Sequence, residues 1–212
     1  MIDQVDAQGR LRHLLCIAGM TRELIVEILD TAASFVPPQD GPARKLPLLR
    51  GKTVVNLFFE PSTRTRTTFE MAAKRLSADV LSIQVEHSSK NKGEDDLDTL
   101  FTLQAMGSDL FVIRHPEEGA AARFAAELAP GLAVLNAGDG SHAHPTQALL
   151  DCYTIRQHKP DFAGLAVAIV GDVRHSRVAH SDICALQTLG VGDIRIAGPA
   201  PLLPEDSASL GV

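Results

Sequence analysis

The chain has 212 residues, 45% of them apolar and 22% charged, a balance that builds a packed core and excludes a disordered polymer. With 26 acidic against 20 basic side chains the formal charge is -6, so overall charge points to neither nucleic acid nor an anionic membrane surface as a partner. Any anion bound by this protein must be held by a local cluster.

The opening segment, MIDQVDAQGRLRH, is polar and acid-containing, unlike a secretory leader, and no apolar run approaches the ~18 residues of a membrane span. Cys16, Cys152 and Cys184 lie far apart among apolar neighbours, with no pair at redox-motif or metal-ligand spacing. These features predict a cytoplasmic protein with reduced core thiols.

In chain order, LIVEILDTAASF (Leu24 to Phe35) carries apolar residues at helical spacing and is followed by a loop rich in proline and glycine. Six short apolar, β-branched runs come next: KTVVNLFF, DVLSIQV, DLFVIRH, LAVLNAG, LAVAIVGD and DIRIAG. Helical segments separate them. Phe69, Ala72, Ala73 and Leu76 share one helical face, Leu97, Leu100 and Phe101 another, and EEGAAARFAAELA, PTQALLDCYTIRQH and SRVAHSDICALQTLG supply three more. Near-continuous apolar strands alternating with helices predict an α/β fold, a parallel sheet covered on both faces.

A seam is expected at HKPDFAGL, His158 to Leu165, where a helical pattern gives way to proline and glycine before a new strand. It divides an N-terminal domain, residues 1–159, from a second, Rossmann-like α/β domain over residues 160–212. Four strand–helix units precede the seam and fewer than two follow it, so the second domain is expected to be incomplete and the chain a shortened form of a longer two-domain protein.

Parallel sheets bind ligands at the carboxyl ends of their strands. The bland reading of any one polar loop at such an end is a solvated turn, but here nearly every one is polar or basic: PSTRTR, EHSSKNKGEDD, the pair Arg114 and His115, DGSHAHPTQ and DVRHSR. In FFEPSTRTRTTFEMAAKRL, Ser62, Thr63, Arg64 and Thr65 lead from a strand into a helix, where backbone N–H groups and the helix dipole converge on an anion. Arg64 or Arg66 adds charge-assisted hydrogen bonds worth ~1.5–3 kcal/mol each. Helix capping alone would need only Ser62 or Thr63, not arginines two residues apart.

His144 precedes Pro145, a residue suited to the first turn of a helix. At the positive end of a dipole and near arginines its pKa would fall, leaving a neutral imidazole able to donate to a developing oxyanion; the bland alternative is a solvent-exposed histidine at a helix start. GDGSHA fits a relaxed dinucleotide fingerprint, but no strand ending in an acid lies about twenty residues on and Asp139 sits where a pyrophosphate would approach. Asp139, His142 and His144 match no standard metal-ligand spacing, so no metal is expected.

FFEPSTRTRTTFE, KGE, IRHPEEGAA, NAGDGSHAHPTQALLD and AIVGDVRHSRVAHS, in this order, resemble the catalytic chains of the aspartate carbamoyltransferase family over almost the whole sequence. Ornithine carbamoyltransferases share STRTR and HPTQ but differ at NAGDG and GDVRHSR, which makes aspartate the implied acceptor. The resemblance implies transfer of the carbamoyl group of carbamoyl phosphate to L-aspartate in pyrimidine biosynthesis, with no metal or organic cofactor. It implies that Ser62, Thr63, Arg64, Thr65 and Arg66 hold the phosphate, with Arg64 also on the leaving oxygen. Thr65, Arg114 and His144 would bind the carbamoyl oxygen, Gln147 the carbamoyl nitrogen and Arg177 an aspartate carboxylate. It further implies a homotrimer in which Ser88 and Lys92 enter a neighbour's site, and it leaves room for regulatory or dihydroorotase-like subunits. A shortened chain would keep the carbamoyl phosphate half and lack part of the aspartate half, so that a carbamoyl-phosphate-binding subunit without turnover is the alternative.

Overall fold

The computed structural model describes residues 4–37, 41, 45–85 and 95–212. It divides into two compact units, one holding the chain to Leu15 together with Pro37–Gly140, the other holding Cys16–Val36 and Ser141–Val212.

The first unit contains β1 (Thr53–Phe58), α2 (Thr63–Arg75), β2 (Asp79–Gln84), α3 (Asp96–Ala105), β3 (Leu110–His115), α4 (Ala120–Glu127) and β4 (Ala133–Asp139); the first helix, α1 (Arg22–Phe35), belongs to the second unit. The four strands form one parallel sheet in the order β2-β1-β3-β4. The alternation of strand side chains sorts the core. Val55, Leu57, Phe111, Ile113 and Val134 pack with Leu100, Leu103 and Phe124 of α3 and α4, whereas Val54, Phe58, Val112 and Ala137 pack with Ala73 and Phe69 of α2. Helices therefore cover both faces, as the continuous apolar runs require. The edge strand β2 is the exception, with Leu81 exposed.

The register sets the carboxyl edge. Phe58 pairs with Gln84 on one side and Arg114 on the other, and Phe59 N–H donates to the Arg114 carbonyl at 2.8 Å, which carries the β1–β3 pairing to the start of the PSTRTR loop. The far edge of β4 is covered by the end of the N-terminal segment, a role its polar composition does not predict. Leu14 bridges Leu135 in parallel, and buried His13 accepts the Val134 N–H through Nδ1 at 3.1 Å. Burial first, then Arg12, lowers the His13 pKa and favours the neutral ring that this acceptor role needs.

The second unit contains α1 (Arg22–Phe35), α5 (Pro145–His158), β5 (Ala166–Val170), α6 (Arg177–Leu189) and β6 (Asp193–Ala197). Its sheet has two parallel strands, β5 and β6. Thr21 caps α1 and Ser176 caps α6, each hydroxyl accepting from an N–H three residues on. Ile25, Leu29, Ala148, Cys152, Ile183 and Leu186 are buried, and Arg156 of α5 pairs with Asp30 of α1 at 2.6 Å. Burial pushes the Cys152 thiol up to about 12, consistent with an inert core thiol, and all three cysteines are free.

Compactness thus divides the chain between Gly140 and Ser141, whereas the proline and glycine pattern points to residues 159 and 160. The physical reason is that α5 packs laterally against α6 and α1, contacts that no breaker in the sequence announces. Among the described residues no helix is long and apolar enough to cross a membrane.

Candidate active site

In the first unit, α2 begins at Thr63 with Ser62 as its cap residue, yet the Ser62 hydroxyl makes no capping hydrogen bond. The first turn of α2 contains no acidic side chain to offset the helix dipole. The early N–H groups of any helix lack intrahelical partners, so this start is a donor cluster with positive potential. Capping alone is therefore a poor account of Ser62. Arg64 is exposed and Arg66 half-buried. Arg66 is steered by a hydrogen bond to Gln84 Oε1 at 2.9 Å, from the strand end beside β1.

Arg114, at the end of β3, is half-buried and doubly held. Its guanidinium pairs with Glu60 at 2.6 Å and donates to the Ala137 carbonyl at 3.2 Å. Glu60 is a residue that the sequence reading passed over; its acidity within a basic loop is the one available signal. His115 next to it is buried among Phe59 and Phe124. Its Nδ1 accepts the Glu117 N–H at 2.9 Å, so the proton sits on Nε2, which faces Asp96 at 3.2 Å. That histidine is a structural brace.

The GDG turn is also committed to structure. Asp139 accepts from Asn136 Nδ2 and from the Gly119 N–H, both at 2.8 Å, while Asn136 Nδ2 also reaches the Leu15 carbonyl and Asn136 Oδ1 accepts the Gly138 N–H. Gly140 has φ +49°, and a Cβ there would collide with Glu118 Cγ. Asp139 is thus a buried carboxylate spent on holding the turn. Among the described residues, no group of three or more His, Cys, Asp or Glu side chains is placed to hold a metal.

In the second unit, His144 precedes α5 and Pro145 is its first residue, as the sequence predicts. His144 is buried, not a solvent-exposed helix-start histidine. Its N–H donates to the Ser181 hydroxyl at 2.9 Å, which ties the start of α5 to α6, and its Nδ1 lies 3.4 Å from the Thr146 hydroxyl. Gln147, one turn into α5, donates from Nε2 to Asp151. Arg177 is the first residue of α6 and is half-buried. The later arginine, Arg195 in β6, is paired with Asp193.

The structure therefore gathers Ser62, Thr63, Arg64, Thr65, Arg66 and Arg114 at the strand ends of the first unit, and places His144, Gln147 and Arg177 at the helix starts of the second. Ser88 and Lys92 lie outside the described residues.

Residues 12–157 match the aspartate/ornithine carbamoyltransferase carbamoyl-P binding domain. Among solved structures, the chain is similar to the catalytic subunit of M. jannaschii aspartate transcarbamoylase, with 39% identity, a TM-score of 0.81 and coverage of 95% of this chain and 65% of that one. It is also similar to Trypanosoma cruzi aspartate transcarbamoylase in complex with carbamoyl aspartate and phosphate, with 33% identity, a TM-score of 0.81 and coverage of 94% and 65%. The same enzyme in complex with N-(phosphonacetyl)-L-aspartic acid matches at 33% identity and a TM-score of 0.81, covering 98% and 64%. The chain spans about two thirds of the length of these relatives. By the match over residues 12–157, which takes in both the PSTRTR and the HPTQ stretches, the chain belongs to the aspartate/ornithine carbamoyltransferase family.

Proposed function

We propose that the chain binds carbamoyl phosphate and takes part in transfer of its carbamoyl group to the amine of L-aspartate, giving N-carbamoyl-L-aspartate and phosphate, a step of pyrimidine biosynthesis. The observation that carries this reading is the start of α2, where Ser62 makes no capping bond, Arg64 and Arg66 lie in the first two turns, and the first turn holds no acid. A phosphate dianion is the natural complement of such a site. Solved relatives hold carbamoyl phosphate together with aspartate, which supports the same pair of substrates here.

In the reaction, the aspartate nitrogen forms a bond to the carbamoyl carbon, the carbonyl oxygen gains negative charge, and the carbon–oxygen bond to phosphate then breaks with its electron pair leaving on phosphate. The amine gives up a proton, which the departing phosphate takes up. Ser62, Thr63, Arg64, Thr65 and Arg66 hold the phosphate and stabilise the departing oxygen. Thr65, Arg114 and His144 donate to the oxyanion, a form of stabilisation worth several kcal/mol where donors are preorganised. The Glu60 pair and the Ala137 carbonyl supply that preorganisation for Arg114. Gln147 orients the carbamoyl nitrogen, and Arg177 takes an aspartate carboxylate. No step asks for a metal or an organic cofactor.

In this reading residues 1–159 form the carbamoyl-phosphate domain and residues 160–212 belong to an aspartate domain. The working assembly is a cytoplasmic homotrimer in which Ser88 and Lys92 complete the neighbour's site. A Lys92→Ala chain mixed with an Arg64→Ala chain then regains activity that neither has alone; confirmed subunit exchange without regained activity removes site sharing. The function itself is tested by a citrulline-type colour assay for carbamoyl aspartate, with parallel titrations of N-(phosphonacetyl)-L-aspartic acid and a nicotinamide dinucleotide. Carbamoyl aspartate formation and tight binding of the phosphonate support the proposal. Binding of carbamoyl phosphate without turnover assigns the chain to the non-catalytic alternative, and binding of the dinucleotide alone overturns both.

A further inference from the structure

We propose that Asp151 is a positioning residue that turns the Gln147 amide so that Nε2 is engaged and Oε1 is left to accept from the NH2 of a carbamoyl group, with Asp182 holding Asp151 in that acceptor role. The inference rests on reading Gln147 as the partner of the carbamoyl nitrogen, and it adds how the site tells that nitrogen from a methyl group.

Gln147 and Asp151 lie four residues apart on α5, the spacing at which helix side chains meet. Gln147 Nε2 donates to both Asp151 oxygens, at 3.1 and 3.3 Å. An ionised carboxylate only accepts, so it admits one of the two orientations of an amide. The direction of an amide is a property of its hydrogen-bond network, and here Asp151 sets it.

Asp182, on α6, lies beside Asp151, near enough for the two carboxyls to share a hydrogen bond when one is protonated. Burial pushes the Asp182 carboxyl up to about 7, and the neighbouring Asp151 charge pushes in the same direction. Asp151 is raised by its own burial, but the bonds from Gln147 and Asp182 work against that rise. Burial and mutual repulsion favour a single negative charge on the pair, and the proposal places the proton on Asp182, the carboxyl pushed up further. Asp182 Oδ1 is buried without a hydrogen-bond partner, a smaller cost for the carbonyl oxygen of a neutral acid than for a carboxylate. Cys152 on the same helix adds no charge, its thiol being pushed up to about 12. The order is Asp182 O–H to Asp151, and Gln147 Nε2–H to Asp151, which leaves Gln147 Oε1 as the acceptor.

A fixed acceptor discriminates. A carbamoyl NH2 satisfies Oε1, whereas a methyl group in the same place leaves it unpaired, and sites built to bond a substrate N–H reject analogues that lack it.

The test compares two stable phosphonates on the chain itself: phosphonoacetamide, which has the NH2, and acetonylphosphonate, in which a methyl group replaces it. By calorimetry the wild type prefers the amide by at least ~10-fold, the effect of one hydrogen bond made or left unmade. Asp151→Ala cuts that ratio at least ~5-fold by weakening the amide while the methyl ketone binds as before. Asp151→Asn, which keeps the shape but lets the amide turn over, also lowers the ratio and covers the case in which the alanine variant does not fold. Asp182→Asn still donates to Asp151 and retains the ratio. Equal losses for both ligands in the Asp151 variants, or an unchanged ratio, overturn the proposal. A preference that Gln147→Ala abolishes and the Asp151 variants keep overturns it while leaving the Gln147 reading intact. A wild type that shows no preference, or binds neither ligand, overturns the Gln147 reading and this inference with it.

Discussion

The sheet of the first unit has four parallel strands, with β1 and β3 buried along nearly their whole length; the sheet of the second has two, and Ala166, Ala168 and Val170 of β5 stand exposed. The difference shows in how each unit fixes its functional side chains. Strand register does it in the first, bringing Gln84, Phe58 and Arg114 side by side so that Arg66 and Arg114 find partners across the sheet. Helix contacts do it in the second, where Ser181 of α6 holds the His144 N–H across the α5–α6 packing and Asp151 holds Gln147 one turn along α5 itself. Register is written along the backbone, but helix packing depends on a few buried polar pairs. Those pairs are the places where the comparison can be broken.

The largest effect is expected at Asp139. Asp139→Ala removes the acceptor of one Asn136 Nδ2 hydrogen, the other still donating to the Leu15 carbonyl, and of the half-buried Gly119 N–H, and a buried donor left unpaired costs ~1–3 kcal/mol. Denaturant unfolding should show a loss of about 2 kcal/mol. A loss below ~1 kcal/mol would mean that the turn is held by something else.

The second unit should be singled out by pH. The fold raises the Asp182 carboxyl from 3.8 to about 7, so it favours the neutral acid. That contribution is complete below about pH 4 and is lost as pH rises to about 7, with a slope on the order of 1 kcal/mol per pH unit. Thermal melts across the window should show a wild-type decline that Asp182→Asn flattens. Parallel profiles for the two proteins would remove the pair from the account.

The two helix starts separate more gently. Ser176→Ala removes a cap bond to the Ala179 N–H at 3.1 Å and should cost ~1 kcal/mol of stability. Ser62→Ala removes no such bond, so it should cost less than ~0.5 kcal/mol while weakening phosphate binding. Equal stability losses would show that Ser62 is a cap after all.

Much of the first unit was legible in the sequence because its signals are local. Apolar runs such as TVVNLF and LFVIRH marked buried parallel strands, and a serine, threonines and two arginines at a strand-to-helix junction marked a donor cluster. Glu60 was passed over because its partner lies at the end of a different strand, and no spacing rule links positions 60 and 114. His144 could be placed at a helix start by Pro145, but its burial depends on Ser181 and the rest of α6. The link from Gln147 to Asp151 had a visible signal in its four-residue spacing; the Asp182 half, from another helix, had none. The place of the N-terminal segment beside β4 had no local signal, because it rests on a single bridge from Leu14 to Leu135 and on His13.

The most direct test of the central claim is calorimetric titration of the wild-type chain and Arg64→Ala with carbamoyl phosphate. If the start of α2 is the phosphate site, the wild type binds, inorganic phosphate raises its unfolding temperature, and Arg64→Ala loses at least ~1.5 kcal/mol of affinity with little change in stability. Equal affinity for carbamoyl phosphate in the two proteins would contradict the account.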